Sequence, residues 1–474
     1  MSSRAPAAAP SGLGYVVLIA VAAALGGFLF GYDTAVVNGT VGALERHFKA
    51  DPGRLGFAVA SALLGSAVGA LIAGRVADRW GRIPAMKLTA LLFAASSIGS
   101  GIAESLLTFS TWRFLGGIAV GAASVIAPAY IAEVAPARIR GRLGSLQQLA
   151  IVTGIFVALL SDAAIVAAAG TATAPWLLGL EAWRWMFLVA VVPALVYGAM
   201  ALTIPESPRY LIARGEMKKA KEVLSRYVGG DVEKVSTDIL KTVEGKSDRP
   251  RFAILRRGKF GLLPIVWIGI GLSVLQQFTG INVIFYYSTT LWQAVGFTEQ
   301  DSLTITVITS VTNILTTIVA IMLIDKVGRR PLLLVGAIGQ FLCLAVLTLM
   351  FATATVVDGE PVLEGSAGTI ALVAANLYVV FFGATWGPVV WVLLGEMFSN
   401  KIRAVALSVA ASAQWAANFV ISTTFPALAA VGLGLAYGVY TFFAFVAIFF
   451  VMKYVKETKG RTLESMSEEP TPVA

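Results

Sequence analysis

Roughly twelve apolar stretches, each long enough to cross a bilayer as a helix of about 20 residues, decide what this chain can become. They begin near Tyr15, Gly56, Pro84, Leu107, Leu143, Trp183, Phe260, Ser302, Pro331, Gly368, Ile402 and Gly432. Hydrocarbon offers no partner to a backbone N–H or C=O, so such stretches fold as helices gathered into a bundle. Composition agrees, with 57% hydrophobic residues, 13% charged residues and a mean hydropathy of +0.80. The fold class is therefore an all-α integral membrane protein. The first stretch runs into Gly31-Tyr32-Asp33-Thr34 with only Arg4 before it, and no small-residue cleavage site follows. It reads as a retained span rather than a removable signal.

The net charge of +9 is a topology signal, not a nucleic-acid footprint. With the N-terminus inside, about 31 of the 36 Lys and Arg fall on the cytoplasmic side. Arg46, Lys49, Arg54 and Arg184 are external, and Arg113 lies within a span. Both termini are expected in the cytoplasm and the chain in the cell membrane. The single Cys343 excludes an internal disulfide. The single His47, in a polar loop beside Arg46 and Lys49, leaves no material for a His/Cys metal site or for His-based catalysis. No Gly-x-x-x-x-Gly-Lys-Ser/Thr loop is present, so the chain is not expected to bind ATP as a P-loop pump would. No cofactor, metal or enzyme activity is expected, since no nucleophile–base pair stands out.

Polar residues inside apolar spans carry the functional signal. Gln276-Gln277-Phe278-Thr279-Gly280-Ile281-Asn282, followed by Phe285-Tyr286-Tyr287, lies in the run that starts near Phe260. Its amides and phenols must face protein or a wet cavity, because lipid cannot satisfy them. Amides donate and accept without charge, which suits a neutral ligand covered in hydroxyls; glue between packed helices is their other use. Asp33 closes the first span, and an acid so placed needs a partner or water. Arg113, some 6 or 7 residues into the fourth span and so about 10 Å deep, is the expected partner. The other reading has Asp33 at a frayed helix end and Arg113 snorkelling outward.

The second half repeats the first. Asp325-Lys326-Val327-Gly328-Arg329-Arg330 answers Asp78-Arg79-Trp80-Gly81-Arg82. Glu396 stands before Arg403 as Glu133 stands before Arg140, and Glu457-Thr458-Lys459-Gly460-Arg461 answers Pro205-Glu206-Ser207-Pro208-Arg209. Each motif follows the second, fourth or sixth span of its half. Parallel six-span repeats with a site between them are the plan of many secondary transporters. The expected divisions are an N-terminal bundle at 1–204, a linker with short helices at 205–259, a C-terminal bundle at 260–455 and a tail at 456–474.

Taken together, Gly74-Arg-Val-Ala-Asp-Arg-Trp-Gly-Arg82, Tyr130-Ile-Ala-Glu-Val-Ala-Pro136, the Pro-Glu-Ser-Pro-Arg stretch, Gln-Gln-Phe-Thr-Gly-Ile-Asn, Gly387-Pro388-Val-Val-Trp391 and Glu-Thr-Lys-Gly-Arg resemble the sugar porters of the major facilitator superfamily, over essentially the whole length outside the tails. The detail is most similar to bacterial sugar–proton symporters and actinobacterial glucose permeases. Lys456 departs from the Pro that often stands there. The resemblance implies the major facilitator fold and a monosaccharide site. Gln148, Gln276, Gln277, Asn282, Asn313, Gln414 and Asn418 would bond hydroxyls, with Trp391, Trp415 and Phe30 as apolar walls. A sugar offers polar edges to amides and a C–H face to an indole. Tyr286 and Tyr287 resemble an extracellular gate, and Gly383 with Gly387-Pro388 is expected to break the tenth helix.

Asp78, Arg82, Glu133, Arg140, Glu206, Asp325, Arg329, Glu396, Arg403 and Glu457 would form pairs that hold the inner side shut. Asp33 is the expected proton site, since burial favours its neutral form and Arg113 its ionised form. The implied activity is proton symport of D-glucose, with xylose or galactose next, by alternating access in a monomer with no obligate protein partner. A proton-independent facilitator and a transporter-like sugar sensor are the other readings. Facilitative relatives tend to carry an amide in place of this acid, so Asp33 favours symport.

Overall fold

Helices must satisfy their own backbones in lipid, and the described residues do so in twelve long apolar helices. The computed structural model describes residues 13–135, 140–228, 231–244, 255, 261–286, 288–294, 296–357, 360–363, 366–398 and 402–459. In order, the spans are Gly14–Ala35, Gly53–Trp80, Arg82–Gly101, Leu106–Val134, Leu143–Ala169 and Ala182–Thr203, then Pro264–Phe285, Asp301–Val327, Arg329–Ala352, Ala367–Met397, Val405–Val431 and Leu433–Tyr454. Large apolar side chains such as Leu91, Leu107, Leu195, Leu202 and Phe442 point outward, as a lipid-facing surface requires.

Local chemistry starts the helices where they start. Asp51 accepts the Arg54 N–H and Pro52 opens the second span. Ser105 and Thr108 form a reciprocal capping box ahead of the fourth, and Thr298 accepts the Asp301 N–H before the eighth. Gly81 and Gly328 make the same sharp turn in each half, with φ of 105° and 106°, a conformation that side chains resist.

The two halves pack by one plan. Spans 1 with 5, 2 with 4 and 3 with 6 meet in the first half; spans 7 with 11, 8 with 10 and 9 with 12 meet in the second. The halves join where span 2 meets span 11 and span 5 meets span 8, the two contacts exchanging under the repeat. Spans 2 and 4 are zipped by small residues. Added Cβ atoms at Gly65 and Gly69 would overlap carbonyls of span 4, and at Gly117 and Gly121 carbonyls of span 2. Close backbone contact of this kind is how helices associate where lipid supplies no hydrophobic drive.

The seventh span starts at Pro264, not near Phe260, because proline lacks the N–H a first turn leaves unused. It is interrupted at Thr279-Gly280, where Gly280 has φ of 86° and Tyr378 Oη donates to the freed Thr279 carbonyl at 2.8 Å. The tenth helix bends without breaking: Phe382–Trp386 form a wider π turn, and Gly387–Met397 continue as α-helix. His47 belongs to a short helix, Val41–Phe48, rather than a loop. Short helices at Pro208–Ala213, Met217–Val223 and Val232–Glu244 lie in the long polar segment, packed around Leu211, Ile212 and Ala220. A small antiparallel pair, Thr355–Val357 with Glu360–Val362, joins spans 9 and 10.

Gly117→Ala should destabilise the protein by about 3 kcal/mol, since the Ala62 carbonyl cannot yield without parting the helices. Gly144→Ala, which meets nothing within 4 Å, should not. Thermal melting in detergent compares the two.

Candidate functional site

Asp33 and Arg113 meet. The guanidinium of Arg113 pairs with the Asp33 carboxylate and also donates to the Asp33 backbone carbonyl at 3.2 Å. The two residues are only 9% and 3% exposed, so neither end-fraying nor snorkelling describes them. Burial of a charge pair is tolerable because each ion is the other's partner. The Arg113 guanidinium also lies 5.6 Å from the Phe187 ring.

A small cavity joins this pair to the opposite half. Asp33, Thr34, Val37, Val59, Leu63, Ser66, Arg113 and Val120 from the first half line it together with Trp415 from the eleventh span. Trp415 packs on Phe30 with ring centroids 4.5 Å apart, and its indole N–H reaches Ser124 Oγ of the fourth span at 3.3 Å. Phe30 and Asp33 lie three residues apart on one helix, so they share a face. The apolar wall and the carboxylate are thus one turn from each other.

Amides fill the space between the seventh, tenth and eleventh spans. Gln276 is their hub: its Nε2 donates to the Trp386 carbonyl at 2.9 Å, and its Oε1 accepts from Gln414 at 2.8 Å and from Gln277 at 3.3 Å. Asn282 donates to Gln277 Oε1. The π turn therefore has a second consequence, since it offers its Trp386 carbonyl to Gln276. Gln148 reaches toward this group from the fifth span, its Nε2 standing 3.4 Å from where a Cβ on Gly387 would sit. Asn313 faces Gly383 in the same way. Asn418 is buried and accepts from Ser422 at 3.1 Å. Trp391 is half-buried against the core of its half. Tyr287 lies outside the described residues, and of Tyr286 only its place in the helix Ile281–Tyr286 is described.

Sequence reasoning missed several polar groups here. Gln147, beside Gln148, is buried against Gly27, and its side-chain carbonyl has no hydrogen-bond partner among the described residues. Asn38 donates to the Phe285 carbonyl at 2.7 Å and to Ser288 Oγ at 3.1 Å, tying the end of span 1 to the second half. Ser124 and Asp162 complete the set. Their only signal was polarity within an apolar span or, for Asn38, just beyond one.

The duplicated charges form two matched networks at the end of the bundle where the basic loops lie. Arg82 holds Glu133 at 3.0 and 2.9 Å and Asp78 at 3.1 Å; Arg329 holds Glu396 at 3.0 and 2.8 Å and Asp325 at 3.0 Å. Glu206 accepts the N–H groups of Arg82 and Ile83 at the start of the third span. Glu457 accepts those of Arg329 and Arg330 at the start of the ninth. Ser207 bonds Glu133 as Thr458 bonds Glu396. The pairs named here each lie within one half and staple its own helices; Arg403 donates to the Phe398 carbonyl of its own half, and the Arg140 side chain is not among those described.

Comparison with known proteins bears on the family and the fold. Residues 19–469 match the family model described as sugar (and other) transporter. The chain is 60% identical to a glucose transport protein of Synechocystis sp., covering 98% of this chain and 99% of that one. It is 38% identical to the D-xylose-proton symporter of Escherichia coli K12, covering 95% of each. A solved structure of the proton:xylose symporter bound to 6-bromo-6-deoxy-D-glucose superposes with a TM-score of 0.83 at 36% identity, covering 96% of this chain and 98% of that one.

Glu457 offers a test of the staples. Burial alone would raise its carboxyl, but backbone N–H groups of Arg329, Lys459, Arg330 and Thr458 hold it below its usual value of 4.5. A depressed carboxyl stabilises the fold fully above the unfolded value and loses that contribution as pH falls through the folded one. Glu457→Gln should therefore lower the melting temperature at neutral pH, and its deficit against the parent should shrink toward about pH 4.

Proposed function

Because this chain belongs to the sugar porter family of the major facilitator superfamily, we propose that it imports a monosaccharide, D-glucose first, by proton symport through alternating access. The similarity to a glucose transport protein favours D-glucose, and that to a D-xylose-proton symporter favours the proton and keeps xylose as the next substrate. The observation that carries the reading is the shared cavity, in which the Asp33–Arg113 pair and Trp415 face one another from opposite halves.

The basic end of the bundle is the cytoplasmic one, by the distribution of Lys and Arg, and the membrane is the cell membrane. Hydroxyls of the sugar bond to Gln148, Gln276, Gln277, Asn282, Asn313, Gln414 and Asn418, replacing the bonds these amides make to one another. Its C–H face lies on Trp415 and Phe30, with Trp391 closing the site. Tyr286 and Tyr287 close it from outside. The two stapled halves rock as rigid bodies about the span 2–11 and span 5–8 contacts.

Asp33 couples the proton. Protonation neutralises its carboxylate, releases Arg113 from the ion pair and changes the wall one turn from Phe30. Only carriers loaded with both ligands, or with neither, then reorient freely. At one proton per sugar, each unit of pH difference is worth about 1.4 kcal/mol, roughly tenfold accumulation.

Radiolabelled D-glucose uptake into proteoliposomes tests this. With an inward proton gradient, the protein should accumulate sugar above the external level and lose it on addition of a protonophore. Asp33→Asn should equilibrate sugar without accumulating it. Equilibration by the parent, indifferent to the gradient, would make it a facilitator; no movement of any hexose or pentose would make it a sensor. Gln276→Ala should weaken sugar binding by about tenfold or more, because it strips the hub from the amide cluster.

A further inference from the structure

The proton pathway described so far leaves one intramembrane acid unused. Asp162 lies on the fifth span, about 10 Å before that helix ends at Ala169. It is completely buried, and neither carboxyl oxygen has a hydrogen-bond partner among the described residues. The Gly39 backbone N–H faces it without reaching hydrogen-bond geometry. An ionised carboxylate placed there has only the facing Gly39 N–H to set against its lost hydration, whereas the neutral acid is readily housed.

Its surroundings connect it to the contact between the halves. A Cβ on Gly39 would stand 2.9 Å from Asp162 Oδ2, so the carboxyl rests directly on the turn that ends span 1. The neighbouring residue in that turn, Asn38, is the one that reaches across to Phe285 and Ser288 of the second half. Ser288 continues to Thr306 of the eighth span at 2.7 Å. On the other side, Tyr32 lies beside Asp162 and its hydroxyl bonds Ser161 at 3.0 Å.

The titratable and charged groups on the neighbouring elements are otherwise engaged or distant. On span 1 they are Tyr32, Asp33, the latter paired with Arg113 of span 4, and Tyr15 at the far end, bonded to the Thr203 carbonyl. Glu133 of span 4, Asp325 of span 8 and Glu396 of span 10 belong to the charge networks at the opposite end, where Lys326 also lies. Asp301 stands at the outer start of span 8, bonded to Thr298. Arg184, at the start of span 6, is held by the Gly101 and Ala103 carbonyls, with Glu181 and His47 beside it.

We propose that Asp162 is a second proton-binding carboxyl, one that must be neutral for the outer contact between Asn38 and the seventh span to close. When that contact opens, the turn withdraws, water reaches Asp162, and the carboxylate takes or gives up one proton. An alkaline exterior leaves it charged and holds the contact apart. The inference rests on the transporter reading and on the outward placing of this end, but not on Asp33 being the coupling site.

Sugar exchange at equal concentrations on both sides, with no pH gradient, isolates this step from net proton transport. The parent's exchange should fall by about tenfold between about pH 6 and about pH 9, while Asp162→Asn, left with only the dependence that Asp33 imposes, should fall by at least about threefold less. Dicyclohexylcarbodiimide, which reacts with protonated carboxyls in apolar surroundings, should label Asp162 in the cycling parent, as mapped by mass spectrometry, and less so as pH rises. Superimposable pH profiles overturn the proposal, and so does the absence of label at any pH should the Asn variant fail to fold. Failure of symport is read separately, as loss of gradient-driven accumulation by the parent in the same vesicles.

Discussion

A polar group in hydrocarbon must be satisfied by protein, and that single constraint organises this molecule. It makes the spans helical and draws them together. It also selects where polarity may stand. Asp33 needs Arg113, Gln276 needs Trp386 and Gln414, and the freed carbonyl at Thr279 needs Tyr378. Each requirement joins two spans. The ion pair belongs to the first half and the amide network to the second, and Trp415 brings the second half against the pair in one cavity.

Duplication supplies the stiffness that the proposed rocking of the halves needs. Arg82 with Glu133 and Glu206, and Arg329 with Glu396 and Glu457, are the same arrangement built twice. Gly81 and Gly328 make it possible, because any side chain there would collide with the capping carboxylate of Glu206 or Glu457. Helices tied at one end and zipped by glycine along spans 2 and 4 move together. Rearrangement is then concentrated where the halves touch, at contacts such as Trp415 with Ser124 and Ser412 with the Ala67 carbonyl.

Much of this was legible in the sequence, and the reasons are physical. Apolar length gave the spans to within a few residues, because crossing a bilayer is a length requirement. The charge motifs gave the staples because they repeat. The union of Asp33 and Arg113 followed from the cost of leaving either alone in lipid. Other features were hidden for equally physical reasons. The break at Gly280 finds its partner in Tyr378 of the tenth span, whose hydroxyl donates to the freed Thr279 carbonyl, and no local pattern reveals that partner. Asp162 and Asn38 carry no motif, and only packing shows that one is sealed in and the other bridges the halves. That the charge pairs lie within halves, not across them, is likewise a matter of folding in three dimensions.

The amide cluster is bonded largely within itself, with Gln414 Oε1 left without a partner among the described residues. Gln276, Gln277, Asn282 and Gln414 already spend donors and acceptors on one another. On the proposed reading, an arriving sugar would exchange these bonds for its own and add few to the total. Its heat of binding is therefore expected to be small, and the free energy of association has to come from water released by the indole face and from order already present in the pocket. A guest with one hydroxyl misplaced would break a bond between neighbours without making its replacement, so recognition operates through what a poor fit leaves unpaired.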